Sequence, residues 1–155
     1  MKHYATFAFA AAALAAALPA AAQDLSARPT YEAVTLNSGF ANDPYNVSVQ
    51  SGGSIDSSGI GSPCTGFIAS APDVRLNYQS GSLPLYLSTT SDADTTLIVN
   101  APDGQWYCDD DTGEGLNPLV VFAKPQSGQY DIWIGTYASA DFRAATLHIS
   151  ELSGY

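Results

Sequence analysis

The sequence predicts an all-β fold: an antiparallel β-sandwich of jelly-roll type, with about eight or nine short strands and one disulfide. Three observations predict it. Apolar residues alternate with polar ones in one short run after another, the period of a strand packed on one face. Gly, Ser, Asn, Asp and Pro clusters separate these runs at close spacing. No stretch of eleven or more residues carries a helical apolar period.

The elements follow in chain order. Lys2 and His3, an apolar run from Phe7 to Leu18, Pro19 and then Ala20-Ala21-Ala22 have the order of a secretory signal peptide, residues 1–22. Residues 23–30 read as a flexible lead, and residues 31–155 as one β-sandwich domain. Tyr45, Val47 and Val49 alternate with Asn46, Ser48 and Gln50, which makes a strand with one apolar face. Ser51 to Pro63 is Gly- and Ser-rich and reads as a long loop. Val74, Leu76 and Tyr78 define the next strand, and Leu83, Leu85 and Leu87 another. Ala101-Pro102-Asp103-Gly104 joins Thr95–Asn100 to Gln105–Cys108, and Asp-Gly between two strand runs signals a hairpin. Tyr130, Ile132 and Ile134 share one face of a later strand, and Ala145, Leu147 and Ile149 close the pattern.

The charge balance excludes some partners. Five basic residues against fifteen acidic ones give a formal net charge of −10. Such a chain repels nucleic acid and anionic lipid and attracts cations. After the signal, no segment is long and apolar enough to span a bilayer. The expected location is exported, periplasmic or extracellular. An exported chain meets oxidising conditions, so Cys64 and Cys108 are expected to pair.

The chemistry-bearing feature is acidic. Between Arg75 and Lys124 stand seven acidic residues and no lysine or arginine. Asp92 and Asp94 precede one strand of the hairpin, and Asp109, Asp110 and Asp111 follow the other. Antiparallel pairing sets the start of one strand beside the end of its partner. The two groups, with Glu114 from the following loop, are therefore expected to meet at one end of the sandwich as a site for Ca2+. The spacing is not that of an EF-hand. The competing reading is a solvated acidic loop.

Trp106, Trp133 and Tyr137 suggest a surface for an unidentified protein or carbohydrate ligand, with core packing as the competing reading. An enzyme is disfavoured. His148 is the one histidine outside the signal, it alternates with Leu147 and Ile149 toward solvent, and no G-x-S-x-G or zinc-ligand spacing occurs.

Asp92-Ala93-Asp94-Thr95-Thr96-Leu97-Ile98-Val99 resembles a strand entry of the bacterial pre-peptidase C-terminal domain. Ser127-Gly128-Gln129-Tyr130-Asp131-Ile132-Trp133-Ile134 resembles that family's G-x-Y strand, and Tyr137 to Ile149 its closing loop and last strand. The resemblance spans roughly residues 85–152. It implies a jelly-roll sandwich acting as a non-catalytic accessory module, and its relatives include calcium-holding collagen-binding domains. The expected function is thus a secreted binding or accessory module, with calcium as the expected stabiliser of its acidic loop cluster. The alternatives are a self-associating structural subunit of a surface assembly and, less favoured, a protease-associated hydrolase.

Overall fold

The computed structural model describes residues 23–155; the signal peptide expected at residues 1–22 lies outside them. The described residues form eleven strands and one short 3-10 turn at Ser57–Gly59, with no α-helix. The strands are β1 (Glu32–Asn37), β2 (Tyr45–Ser51), β3 (Ile55–Asp56), β4 (Phe67–Ile68), β5 (Val74–Gln79) and β6 (Leu85–Thr90). They continue with β7 (Thr95–Asn100), β8 (Trp106–Asp109), β9 (Leu119–Phe122), β10 (Gly128–Thr136) and β11 (Arg143–Ser150).

Two sheets face each other. One is the four-stranded antiparallel sheet β2-β11-β6-β9. The other has seven strands around β10. One edge of β10 pairs with β5 along Gly128–Ile132 and then with β4 at Thr136. Its other edge pairs with β7 along Asp131–Thr136, and β7 carries β8. β1 extends this sheet beyond β5 and β3 extends it beyond β4. The pairing of β1 with β5 is parallel, so the sandwich is mixed rather than wholly antiparallel.

The strand count exceeds eight or nine for a physical reason. β3 and β4 have two residues each, too short to show any period. β3 arises inside the Gly- and Ser-rich segment expected to be loop. That segment crosses the outside of the seven-stranded sheet, and glycine lets it approach closely. A Cβ on Gly53 would stand 2.1 Å from the Ile68 carbonyl carbon.

Alternation divides the side chains between two cores. Val34, Leu76, Leu97, Tyr130, Ile132 and Ile134 from one sheet meet Val47, Leu85, Leu87, Leu147 and Ile149 from the other. Most of these are fully buried, and each large aliphatic side chain so removed from water contributes roughly 1.5–3 kcal/mol. Leu83, expected on the same face as Leu85 and Leu87, precedes β6 and is exposed. The second, smaller core is Ile68, Ile98 and Trp133 on the outside of the seven-stranded sheet, flanked by Ile55, Ile60, Trp106 and Cys108.

The expected cystine is present: Cys64 and Cys108 are joined at 1.99 Å across 44 residues of sequence. It fastens the segment that covers the second core to β8.

Where β10 changes partner from β5 to β4, a side chain fills the gap. The Asp73 carboxylate accepts the Ile134 N–H at 2.8 Å, while the Asp73 N–H donates to the Ile132 carbonyl at 2.8 Å. Burial pushes this carboxyl up to about 7 from an ordinary 3.8, against the pull of the Ile134 bond.

Residues 23–30 carry no strand but are tied to the domain. Asp24 N–H donates to the Ser70 carbonyl, Thr30 N–H to the Pro72 carbonyl, and Arg75 to the Leu25 carbonyl at 2.8 Å each. Arg75 also pairs with buried Asp131 at 2.6 Å.

Candidate functional site

The strand directions gather three loops at one end of the sandwich. Residues 91–94 link β6 to β7, residues 110–118 link β8 to β9, and residues 137–142 link β10 to β11. The loops are stitched together by backbone bonds. Thr95 N–H donates to the Leu116 carbonyl, and Tyr137 N–H to the Asp94 carbonyl.

The six acidic residues expected as a metal site separate into distinct roles here. Asp94 lies close enough to Asp110 and Asp111 for their charges to act on it. Partial burial, then Asp111, then Asp110 raises its carboxyl above the usual range. Asp110 is raised in turn by burial, Asp111 and Asp109. Asp94 Oδ1 is buried and has no hydrogen-bond partner among the described residues. Asp109 is occupied as a loop anchor: its Oδ2 accepts the N–H groups of Thr112 at 3.0 Å and Leu119 at 2.8 Å. Glu114 is exposed on the same loop, where its backbone carbonyl accepts from the Asn117 amide at 3.1 Å. Asp92 is exposed and lines a trough on the outside of the four-stranded sheet. Among the described residues, no three His, Cys, Asp or Glu side chains converge as a ready-made metal cage.

The aromatic strip does not exist as a surface. Trp133 is fully buried, because the segment from Ile55 to Ile68 folds over its face of the sheet. Trp106 is half-buried against it, with ring centroids 5.4 Å apart. Tyr137 alone of the three is exposed, in the loop after β10. Sequence reasoning missed the cover because two-residue strands and glycines carry no apolar period.

His148 departs from its expected solvent-facing role. It is half-buried on the outer face of the four-stranded sheet. Its Nδ1 lies 2.6 Å from Asn46 Oδ1 and its Nε2 2.9 Å from Thr90 Oγ1, and the Tyr155 ring stacks beside it at 4.8 Å. An amide oxygen only accepts, so Nδ1 carries the proton and Nε2 receives the Thr90 hydroxyl hydrogen. Burial lowers the pKa of this imidazole, which keeps it in that neutral form.

No protein-family model matches the chain, and no curated protein matches it. Among solved structures, the chain is similar to the pre-peptidase C-terminal domain of a collagenase from Bacillus anthracis. The identity is 14% and the TM-score 0.45, over 80% of this chain and 99% of that one. That is the family the sequence resembles. The chain is also similar to a periplasmic inhibitor of g-type lysozyme from Aeromonas hydrophila. Here the identity is 14% and the TM-score 0.40, over 77% of this chain and 96% of that one.

Proposed function

We propose that the chain is an exported, non-catalytic binding or accessory module whose acidic end is its recognition surface for cations or a cationic partner. The observation that carries this reading is the crowding of Asp94, Asp110 and Asp111 at one end. Asp110 and Asp111 raise the cost of ionising Asp94, and Asp111 that of ionising Asp110, and a bound positive charge relieves that cost. The cystine supports export, since such bonds persist in oxidising compartments. The non-catalytic reading is supported by His148, whose two nitrogens are both engaged in the resting fold.

Calcium is the first cation to test. Asp94, with its partnerless oxygen, and the neighbouring Asp110 and Asp111 are the residues that would hold it. Binding would join the 91–94 and 110–118 loops and stabilise the folded state by mass action. A thermal melt with calcium chloride, then with chelator, tests this. The expected midpoint is several degrees higher with calcium, and the shift disappears in Asp94→Asn. A midpoint that moves with neither addition removes calcium from the account.

A further inference from the structure

We propose that the outer face of the four-stranded sheet holds a binding site for a neutral pyranose sugar, in the trough over β2 and β11. The proposal stands on a different surface from the acidic end and does not depend on it. The trough is open and shallow, with a volume of about 510 Å³, within the roughly 300–1,000 Å³ of small-molecule sites.

Its shape comes from residue size. In the register of the sheet, Ala144 lies opposite Gln50, and Thr146 lies between Ser48 on β2 and Thr90 on β6. Small side chains on β11 make the floor, and the longer Gln50 and Tyr31 rise beside it. Tyr31 is a fixed wall. Its hydroxyl accepts the Gln50 N–H at 3.0 Å and donates to the Gln50 carbonyl at 3.3 Å, while the residue as a whole remains 40% exposed. Its backbone is held by the Asp73 carbonyl at 2.9 Å. A rigid aromatic face beside a polar floor suits a sugar, which presents C–H groups on its ring faces and hydroxyls at its rim.

The polar groups suit it as well. Ser48, Gln50 and Asp92 are exposed along the trough and Thr146 is half-buried in it, so their donors and acceptors are within reach of a ligand there. Thr90 is pre-oriented: its hydrogen is committed to His148 Nε2, which leaves its oxygen as an acceptor. Hydroxyls and an amide match the mixed donors and acceptors of a sugar rim. Asp92, the one charged group lining the trough, accepts from sugar hydroxyls and repels an acidic sugar.

The test is an amide chemical-shift titration of the protein with glucose, N-acetylglucosamine and maltose, with glucuronate as the charged comparison. Saturable shifts at Tyr31, Gln50, Ala144 and Thr146 are expected with at least one neutral sugar, and weaker binding of glucuronate than of glucose. Asp92→Asn is expected to narrow that gap. Ala144→Trp, which fills the exposed floor, is expected to weaken binding by about tenfold or more. Gln50→Ala, also on the exposed face, is the second variant should the tryptophan disturb folding. Absence of saturation with every neutral sugar overturns the proposal. So do shifts confined to the 110–118 loop, or affinity unchanged in a folded Ala144→Trp or, failing that, Gln50→Ala.

Discussion

Two carboxylates at opposite ends of this sandwich, Glu151 and Asp94, are handled in opposite ways, although Asp43 beside Glu151 also keeps one buried oxygen without a partner among the described residues. At the end formed by the loops after β1 and β11, Glu151 is almost fully buried yet fully served. It accepts from the Tyr78 hydroxyl and from the Gly39 N–H at 2.6 Å, and its own N–H donates to Asp43 at 2.8 Å. Burial pushes its carboxyl up, but the bonds from Ser38, Tyr78 and Gly39 outweigh that and hold it below its usual range. At the other end Asp94 faces Asp110 and Asp111, is pushed up, and keeps an oxygen without a partner. A carboxylate with donors aimed at it is part of the structure; one surrounded by its own kind is available to something else.

Four experiments test that contrast. The largest effect is expected from reducing the cystine, which fixes the cover segment to β8 just before the acidic loop. Closing 44 residues of sequence corresponds to about 4 kcal/mol in the chain-entropy description. Hydrogen exchange in reductant is expected to accelerate first around β8 and the 110–118 loop, with the Glu151 end slower to open.

Next comes Asp73→Asn, which keeps an acceptor for the Ile134 N–H without a buried charge. Because the folded pKa of Asp73 is raised to about 7 from 3.8, its favourable contribution is complete below about 4 and is lost as pH rises through 7. The variant is expected to exceed the wild type at pH 8 by on the order of 3 kcal/mol and to match it at pH 4, as read by urea unfolding.

Glu151→Ala is expected to cost about 2–3 kcal/mol, because it leaves the Tyr78 hydroxyl and the Gly39 N–H without their acceptor. Asp94→Asn is expected to be the smallest change and of opposite sign, stabilising by about 0.5 kcal/mol at neutral pH and low salt. An equal loss from both substitutions would erase the contrast between the ends.

Much of the fold was legible because its core strands obey period two. The runs at Val47, Leu76, Leu85, Leu97, Ile132 and Leu147 all face the shared core. The Asp103-Gly104 hairpin was readable from turn chemistry, and Gly104 has φ of +75° there. The cover over Trp133 was not legible, because it is built from Gly, Ser and two-residue strands whose placement depends on tertiary packing. The acidic end was only partly so. Pairing alone indicates which strand ends are neighbours, but not that Asp109 would turn inward to cap Thr112 and Leu119 while Asp92 faced the other way. The partners of His148 were hidden for the same reason: Asn46 is 102 residues away in sequence and Thr90 is 58.

The Tyr31 hydroxyl has a consequence of its own. By giving to and taking from the same residue on the outer margin of β2, it occupies both backbone groups that an incoming strand would seek at Gln50. The phenol leaves no free backbone donor or acceptor at that residue. Tyr31→Phe would leave the ring in place and open that margin to a neighbouring molecule.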